Sequence, residues 1–140
     1  MKISKQVQEA LNTSRPVVAL ESTIISHGLP YPRNIVAAKE FEQQLIDAGV
    51  VPPTIGIING VQTIGLSQDE LEQIASEGTA KSSVRDLPII AAKGINGATT
   101  VAATAFLAAK AGIRVFATGG LGGVHQEANE TFDESADLTT

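Results

Sequence analysis

The sequence predicts an α/β fold in which helices cover a sheet. Short runs rich in β-branched residues alternate with longer stretches whose apolar residues recur at helical spacing. The run Val17–Leu20 is continuously apolar, as expected for a strand buried on both faces, and the polar residues Glu21–Thr23 follow it. Because open sheets present their ligand sites beyond the carboxyl ends of strands, this junction is the first candidate site.

Composition indicates a globular protein with one core. A chain of 140 residues with 43% hydrophobic content can form a single domain over residues 1–140 or a portion of a larger one. The absence of cysteine excludes disulfides, thiolate zinc sites and a cysteine nucleophile, and it is compatible with a cytoplasmic location. A metal ion would have to be held by oxygen or imidazole ligands.

Charge and hydropathy restrict the partners. The formal net charge is -5, and the ten Lys and Arg residues form no basic stripe, so polymeric nucleic acid is not expected as a partner. The longest apolar-rich stretch, Ala98–Ala111, contains three threonines and Lys110. It is shorter than the roughly 20 residues of a membrane span, so we expect a soluble protein without a membrane partner.

Apolar spacing and capping residues predict the helices. Ser67 followed by Glu70 has the pattern of a capping box, and Gly49 and Gly112 are placed as C-terminal stops. The predicted helices cover Met1–Thr13, Asn34–Ala48, Gln68–Glu77 and an Ala-rich segment that Thr99 or Thr100 caps and that runs to Ala111.

Apolar runs between these helices predict the remaining strands. They are Thr54–Ile58, Val61–Leu66, Ile89–Ala92 and a buried run, Val115–Thr118. Asn59–Gly60 favours a hairpin turn between the first two. The segments Lys81–Pro88 and Gly94–Gly97 have the composition of loops. The chain ends after a polar cluster, Phe132–Asp137, and a few further residues, so we expect the sheet to be incomplete.

Glu21 is the first candidate for chemistry. A carboxyl at a strand end can be partly desolvated, which raises its pKa and allows it to donate a proton near neutral pH. Taken alone, such a glutamate is more often a cap or a paired surface carboxylate. The nearby His27 is equally ambiguous, because a lone histidine is usually structural.

The loop Thr118–His125 is a candidate phosphate site. Its four glycines allow backbone amides to approach an anion closely, and Thr118 and His125 add side-chain donors at its ends. The loop matches neither the dinucleotide-binding nor the P-loop pattern, so a tight structural turn is the alternative interpretation.

Two further groups are suggestive but unspecific. Asp133 and Asp137 could anchor Mg²⁺ or Mn²⁺, since hard cations prefer carboxylate oxygen, although acidic residues near a terminus are usually only solvated. Lys81 could hold a phosphate as a point charge, and Lys93 has the same ambiguity between binding and plain exposure.

A series of short motifs, taken together, resembles one family of enzymes. Each motif is modest, but their order and spacing extend over nearly the whole chain. The motifs are Ala19–Pro30, Thr54–Gly56, Lys81–Pro88, Gly97–Ala102, Val115–Gly120 and Ser135–Leu138. In these motifs the sequence resembles the pseudouridine-5'-phosphate glycosidases, a family also called indigoidine synthase A-like.

The resemblance implies an activity and an assembly. Members of that family interconvert pseudouridine 5'-phosphate with uracil and ribose 5-phosphate, use a divalent metal that is commonly Mn²⁺, and form α/β/α homotrimers. On this resemblance Glu21 matches the proton donor and Asp133 the metal-binding aspartate. The substrate-binding positions that it implies are Lys81, Val101, Thr118, His125, Ser135, Ala136 and Asp137.

The sequence also departs from the family pattern. The nucleophilic lysine that opens the reaction in the family lies beyond the segment matched by Ser135–Asp137, so no residue here is assigned that role and we expect a truncated form. Gln126 and Glu127 stand where the pattern has arginine and glycine, and Glu134 replaces an apolar residue.

Two alternatives remain open. One is a non-catalytic protein that keeps the sugar-phosphate pocket or the trimer surface. The other is a Rossmann-type nucleotide binder, which has little support because no glycine fingerprint follows the first predicted strand.

Overall fold

The computed structural model describes residues 1–76 and 78–140. Its strands are β1 (Lys2–Ile3), β2 (Ala19–Leu20), β3 (Ile55–Ile58), β4 (Val61–Ile64), β5 (Ala80–Ser82), β6 (Gly97–Thr99) and β7 (Phe116–Ala117). Its α-helices are α1 (Lys5–Asn12), α2 (Arg33–Asp47), α3 (Gln68–Ala75), α4 (Leu87–Lys93), α5 (Val101–Lys110) and α6 (Ala128–Thr131). A π-helical turn covers Ile24–Gly28, and 3₁₀ turns cover Val84–Asp86 and Ala136–Leu138.

The strands form a mixed sheet and a smaller parallel pair. The five-stranded sheet has the order β1–β4–β3–β6–β5, and β3 is antiparallel to both of its neighbours. The second sheet pairs β2 with β7 in parallel, with Ala19 opposite Phe116. Backbone hydrogen bonds such as that from Leu20 N to Pro53 O (3.0 Å) join β2 to the segment before β3. The two sheets are therefore held side by side.

Helices pack on both faces of the five-stranded sheet. Ile55 and Ile57, two residues apart in β3, point to the same face and meet side chains of α1, α4 and α5. Ile58 and Ala98 point to the other face and meet Ile74 of α3. The structure therefore confirms the predicted α/β class with helices covering the sheet.

The Ala-rich helix has the predicted boundaries. The hydroxyl of Thr100 accepts a hydrogen bond from Ala103 N (3.4 Å), so Thr100 is the N-cap and α5 begins at Val101. The helix ends at Lys110, directly before Ala111 and Gly112. In the described part of the chain, this and every other helix is too short or too polar to cross a membrane.

The structure confirms two other predicted helices. Helix α2 ends just before Gly49, whose φ of +76° is favourable for glycine. Helix α3 begins with the predicted capping box between Ser67 and Glu70. The prediction extended α3 to Glu77, which lies outside the described residues, and the structure ends this helix at Ala75.

The predicted strand Ile89–Ala92 is wrong, because these residues belong to α4. Pro88 lies in the first turn of the helix, where its fixed φ is favourable and its missing N–H costs nothing. Leu87 and Ile90, three residues apart, are buried, whereas Ile89 is 52% exposed. A four-residue apolar run fits either structure, and tertiary packing selected the helix.

The loops predicted on both sides of α4 contain strands. Strand β5 lies within and just before Lys81–Pro88, and β6 begins at Gly97. The two strands are parallel neighbours, with Lys81 opposite Ala98. Their Ser82 and Thr99 side chains are fully buried, although the polar composition of both segments favoured loops.

The remaining predicted elements are shorter in the structure. The N-terminal segment begins with β1, and α1 starts only after its N-cap Ser4. Of Val115–Thr118 only Phe116–Ala117 is a strand, and Val115 is 57% exposed, so the predicted burial is wrong. Strand β2 is likewise limited to Ala19–Leu20.

A buried set of hydroxyl groups fastens the end of β2 to the five-stranded sheet. Ser22 Oγ donates to Ile55 O (2.7 Å) and accepts from Thr99 N (2.8 Å). Thr99 Oγ1 also donates to Ile55 O (2.7 Å) and accepts from Thr104 Oγ1 (2.9 Å). Ser22, Thr99 and Thr104 are each 0% exposed. These contacts fix the residue after Glu21 beside the residue that precedes the α5 cap.

We predict that Asn34→Ala lowers the free energy of unfolding by about 2–4 kcal/mol, because it leaves buried carbonyls without donors. Asn34 is 2% exposed, and its Nδ2 donates to Ile25 O (2.8 Å) and Ala75 O (3.0 Å). It thereby joins α2 to the π-helical turn and α3. Urea unfolding measures the change.

The control is Gln43→Ala on the exposed side of the same helix, where Gln43 Nε2 donates to Asp47 Oδ1 (2.7 Å). This change should stay within about 0.5 kcal/mol. Equal unfolding midpoints for the two variants would contradict the role assigned to Asn34.

Candidate active site

A cavity of about 660 Å³ lies where several segments meet, and its size suits a small molecule. It is formed by the end of β2, the β5 segment, the start of α5, the stretch before the last 3₁₀ turn and the loop Thr118–His125, which we call the glycine loop. Its lining residues are Glu21, Thr23, Lys81, Ser83, Val84, Arg85, Thr100, Val101, Gly120, Gly122, Glu134, Ser135, Ala136 and Asp137.

Glu21 is the acid of this cavity. Partial burial raises the pKa of its carboxyl, and the negative charge of Asp137 raises it further. A hydrogen bond from Thr118 Oγ1 and the positive charge of Lys81 act in the opposite direction, and burial prevails. A carboxyl with a raised pKa holds its proton closer to neutral pH, which suits a general acid.

Asp137 has a structural position in the cavity wall. Its Oδ1 accepts from Ala102 N in the first turn of α5 (2.9 Å), where the helix dipole favours a negative charge. Its Oδ2 accepts from Gly122 N (3.2 Å), and its own N–H donates to Ser135 Oγ (3.2 Å). Asp137 thus joins the glycine loop to the start of α5.

The glycine loop has a conformation that other residues rarely adopt. Gly122 has φ +86° and Gly123 has φ +134°. A Cβ atom on Gly122 would also lie 2.9 Å from Leu138 Cδ2. The loop therefore approaches the last 3₁₀ turn closely, and the donation from Gly122 to Asp137 depends on this approach.

Two cations border the cavity. Lys81 projects from β5, which runs beside β6 and so brings the lysine near the start of α5. Arg85 follows in the 3₁₀ turn, with a side chain that is 90% exposed and 3.8 Å from Asp86. The first turn of α5 adds the positive end of a helix dipole. These groups together suit an anionic ligand.

Asp133 and His125 pair with each other outside this lining. Asp133 Oδ2 lies 3.3 Å from His125 Nδ1, and both side chains are about two-thirds exposed. His125 N also donates to Asp133 O (3.1 Å). Within residues 1–76 and 78–140, no three or more acidic, histidine or cysteine side chains are grouped to hold a metal ion.

Comparison with known proteins decides the family. The family model described as "Indigoidine synthase A like protein" matches residues 6–140. This chain belongs to the indigoidine synthase A-like family.

Curated relatives in this family share the name pseudouridine-5'-phosphate glycosidase. The chain is 63% identical to the one from Saccharopolyspora erythraea over 99% of its own length and 57% identical to the one from Escherichia coli K12 over 99%. It spans 46% and 45% of these relatives, so it covers less than half the length of the proteins that it matches.

Two solved structures share the fold. A prealnumycin C-glycosynthase in complex with ribulose 5-phosphate is 43% identical, with a TM-score of 0.86 over 98% of this chain and 44% of that one. An indigoidine synthase A-like protein from Thermotoga maritima is 38% identical, with a TM-score of 0.86 over 99% of this chain and 44% of that one.

The cavity collects most of the predicted site residues of this family member. The residues that line it as a group are Glu21, Lys81, Val101, Ser135, Ala136 and Asp137. Thr118 lies beside the cavity, and its hydroxyl donates a hydrogen bond to Glu21. His125 and Asp133 are not brought into the lining, and the aspartate that shares the cavity with Glu21 is Asp137.

Two residues that depart from the expected family pattern, Glu127 and Glu134, lie close to the cavity in sequence or line it. Glu127, at a position where the resemblance led us to expect glycine, has φ +65°, in the left-handed region that favours glycine. Glu134 lines the cavity and adds a carboxylate at a position where the resemblance led us to expect an apolar residue. Both lie on the segment that joins the glycine loop to Asp137.

Sequence reasoning did not select several lining residues. Thr23 and Arg85 lie inside the motifs that resemble the family, but nothing in their spacing separates them from their neighbours. Thr100 was predicted only as a helix cap, and a cap at the end of a buried strand is also a position that faces a site. Their common signal is position at the end of a strand.

We predict opposite pKa changes of Glu21 in two variants. Thr118→Val should raise the pKa because it removes a hydrogen bond that stabilises the carboxylate. Asp137→Asn should lower it because it removes a nearby negative charge. Carbon-13 NMR titration of the glutamate carboxyls measures both, and shifts of the same sign would contradict the assigned causes.

The same raised pKa makes stability depend on pH. A carboxyl whose pKa is higher in the folded than in the unfolded protein stabilises the fold at any pH below its unfolded pKa. This contribution is lost as the pH rises through the folded pKa. As the pH rises from the unfolded to the folded pKa of Glu21, we expect the free energy of unfolding of wild type to fall relative to that of Glu21→Gln. The comparison separates Glu21 from Glu42, whose pKa burial also raises.

Proposed function

We propose that this chain supplies the proton-donating and sugar-phosphate-binding part of a pseudouridine-5'-phosphate glycosidase site. The reaction is the reversible cleavage of the C-glycosidic bond of pseudouridine 5'-phosphate to uracil and ribose 5-phosphate. The observation that carries the proposal is the shared cavity of Glu21, a carboxyl with a raised pKa, and the cation Lys81. The name of the curated relatives and the sugar-phosphate complex of a structural neighbour support it.

Glu21 is suited to assist a C-glycosidic substrate. A bond between carbon atoms offers no leaving oxygen to protonate, so acid assistance has to reach the ring oxygen of the ribose. A carboxyl whose pKa is raised can donate its proton to that oxygen as the ring C–O bond opens. The hydrogen bond from Thr118 fixes one carboxyl oxygen and leaves the other for the substrate.

Lys81 and α5 are suited to the phosphate end. An ammonium group acts on phosphate as a point charge. In the first turn of α5 the N–H of Ala102 donates to Asp137 and that of Ala103 to Thr100, so the helix contributes the positive end of its dipole rather than these two donors. Val101 is 5% exposed and begins α5, so its contribution comes from backbone and packing. Asp137 holds Ala102 N and keeps this helix start aligned with the glycine loop.

The first test is a chimera that carries the whole length of a relative. The 140-residue chain replaces the matching 139 residues of the Saccharopolyspora erythraea protein. We expect uracil release from pseudouridine 5'-phosphate, and a fall in kcat of about 10²–10⁴-fold in the Glu21→Gln form. Absorbance of the released uracil measures the rate.

Glu72→Gln is the matched control, because the Glu72 side chain is 62% exposed and pairs with Lys39 away from the cavity. It should leave kcat unchanged. A folded chimera without activity, or full kcat in the Glu21→Gln form, would contradict the proposed reaction. Ribose 5-phosphate binding by an inactive chimera would favour the non-catalytic binding alternative.

We also propose Asp133 as the carboxylate ligand of Mn²⁺, with water completing the coordination. The described residues form no chelating cluster, so they do not make a metal centre by themselves. Hard divalent cations are nevertheless often held by one or two carboxylates and several waters. No step of the reaction is assigned to the ion.

Weak Mn²⁺ binding is therefore expected, with a Kd of about 10⁻⁴–10⁻³ M, and Asp133→Asn should abolish it. Electron paramagnetic resonance of free Mn²⁺ measures the bound fraction without any activity assay. The control Glu130→Gln removes a neighbouring exposed carboxylate from α6. Unchanged binding in Asp133→Asn would exclude Asp133 as the ligand.

A homotrimeric assembly in the cytoplasm completes the proposal. Exposed apolar side chains such as Phe41 and Val115 offer surface for subunit contacts, and a chain without cysteine is compatible with a reducing compartment. Sedimentation equilibrium tests the assembly, and a fluorescent fusion in cells tests the location.

A further inference from the structure

Thr23 carries a buried hydroxyl without a partner. Among the described residues, its Oγ1 is shielded from solvent and makes no hydrogen bond. The hydroxyl of the adjacent Ser22 is fully engaged with Ile55 and Thr99. Buried hydroxyl groups are nearly always paired, so an isolated one calls for a missing partner.

The position of Thr23 indicates which partner is missing. Thr23 lines the same cavity as Glu21 and Lys81, two residues after the acid. The π-helical turn Ile24–Gly28 follows it directly, and Ser22 O accepts from both Ile25 N (3.1 Å) and Ser26 N (3.2 Å). Widened turns of this kind occur often at functional sites.

The local backbone leaves the hydroxyl free to turn. Thr23 has helical dihedrals, φ -61° and ψ -37°, for which threonine has two accessible χ1 rotamers. In helices the hydroxyl commonly bonds a carbonyl of the preceding turn, and Thr23 does not do so. Rotation about Cα–Cβ exchanges methyl and hydroxyl without moving the backbone.

We propose that Thr23 is a further ligand-binding residue, whose hydroxyl completes its hydrogen bonding with an oxygen of the bound sugar phosphate. This rests on the proposed function of the cavity and adds a contact beside the acid. The hydroxyl contributes to affinity for the ligand, whereas in the empty protein it is an unsatisfied group that lowers stability.

The test compares Thr23→Val, which has the same shape without the hydroxyl, with Thr23→Ser, which keeps the hydroxyl. Isothermal titration of the 140-residue chain uses ribose 5-phosphate and inorganic phosphate as probes. We expect Thr23→Val to raise the Kd for ribose 5-phosphate about 5–10-fold, and Thr23→Ser to stay within about 2-fold of wild type. The Tm of empty Thr23→Val should equal or exceed that of wild type.

The matched control is Ser26→Ala, which removes a hydroxyl from the same turn but outside the cavity lining. It should leave the Kd unchanged. Weaker binding of both probes by Thr23→Val places the contact on the phosphate, and weaker binding of ribose 5-phosphate alone places it on the sugar. If Thr23→Val does not fold, Thr23→Ala decides by the same measurements.

The failures of the two proposals can be told apart. Wild-type affinity for ribose 5-phosphate in Thr23→Val or the folded Thr23→Ala would overturn the role of Thr23 alone. Absence of ribose 5-phosphate binding by wild type itself would overturn the sugar-phosphate function together with it.

Discussion

The site depends on the buried hydroxyl junction between the two sheets. Ser22 and Thr99 share Ile55 O as acceptor, and Thr104 adds a third hydroxyl from α5. All three side chains are removed from solvent, where a satisfied hydrogen bond is strong and a broken one is costly. Because Glu21 precedes Ser22 and the α5 cap follows Thr99, this junction places Glu21 beside the start of α5.

The electrostatics of the cavity follow from that placement. Glu21 is partly buried and near Asp137, so its pKa rises even though Thr118 and Lys81 favour its charged form. Asp137 itself accepts hydrogen bonds from backbone donors of α5 and the glycine loop, which hold its carboxyl in place. One carboxyl is thus available for proton transfer and the other for holding the walls together, although both belong to one cavity.

Local signals predicted several elements correctly. The Ser67 and Glu70 capping box located α3, and Thr100 with Gly112 bounded α5, since capping depends on contacts within a few residues. Ile89–Ala92 was assigned wrongly and β5 was missed. A short apolar run suits strand or helix equally, and a polar strand such as Ala80–Ser82 is recognised only by its neighbours in the sheet.

The sequence by itself determined the α/β class, the caps, the family pattern and six of the residues that line the cavity, because these depend on residue type and order along the chain. Tertiary structure decided that Asp137 shares the cavity with Glu21 while Asp133 pairs with His125 outside its lining. It also decided that Thr23 alone among the buried hydroxyls of the described residues lacks a partner. Burial and hydrogen-bond partners depend on contacts between segments that are far apart in sequence. The spacing of residues along the chain does not show which of these segments meet.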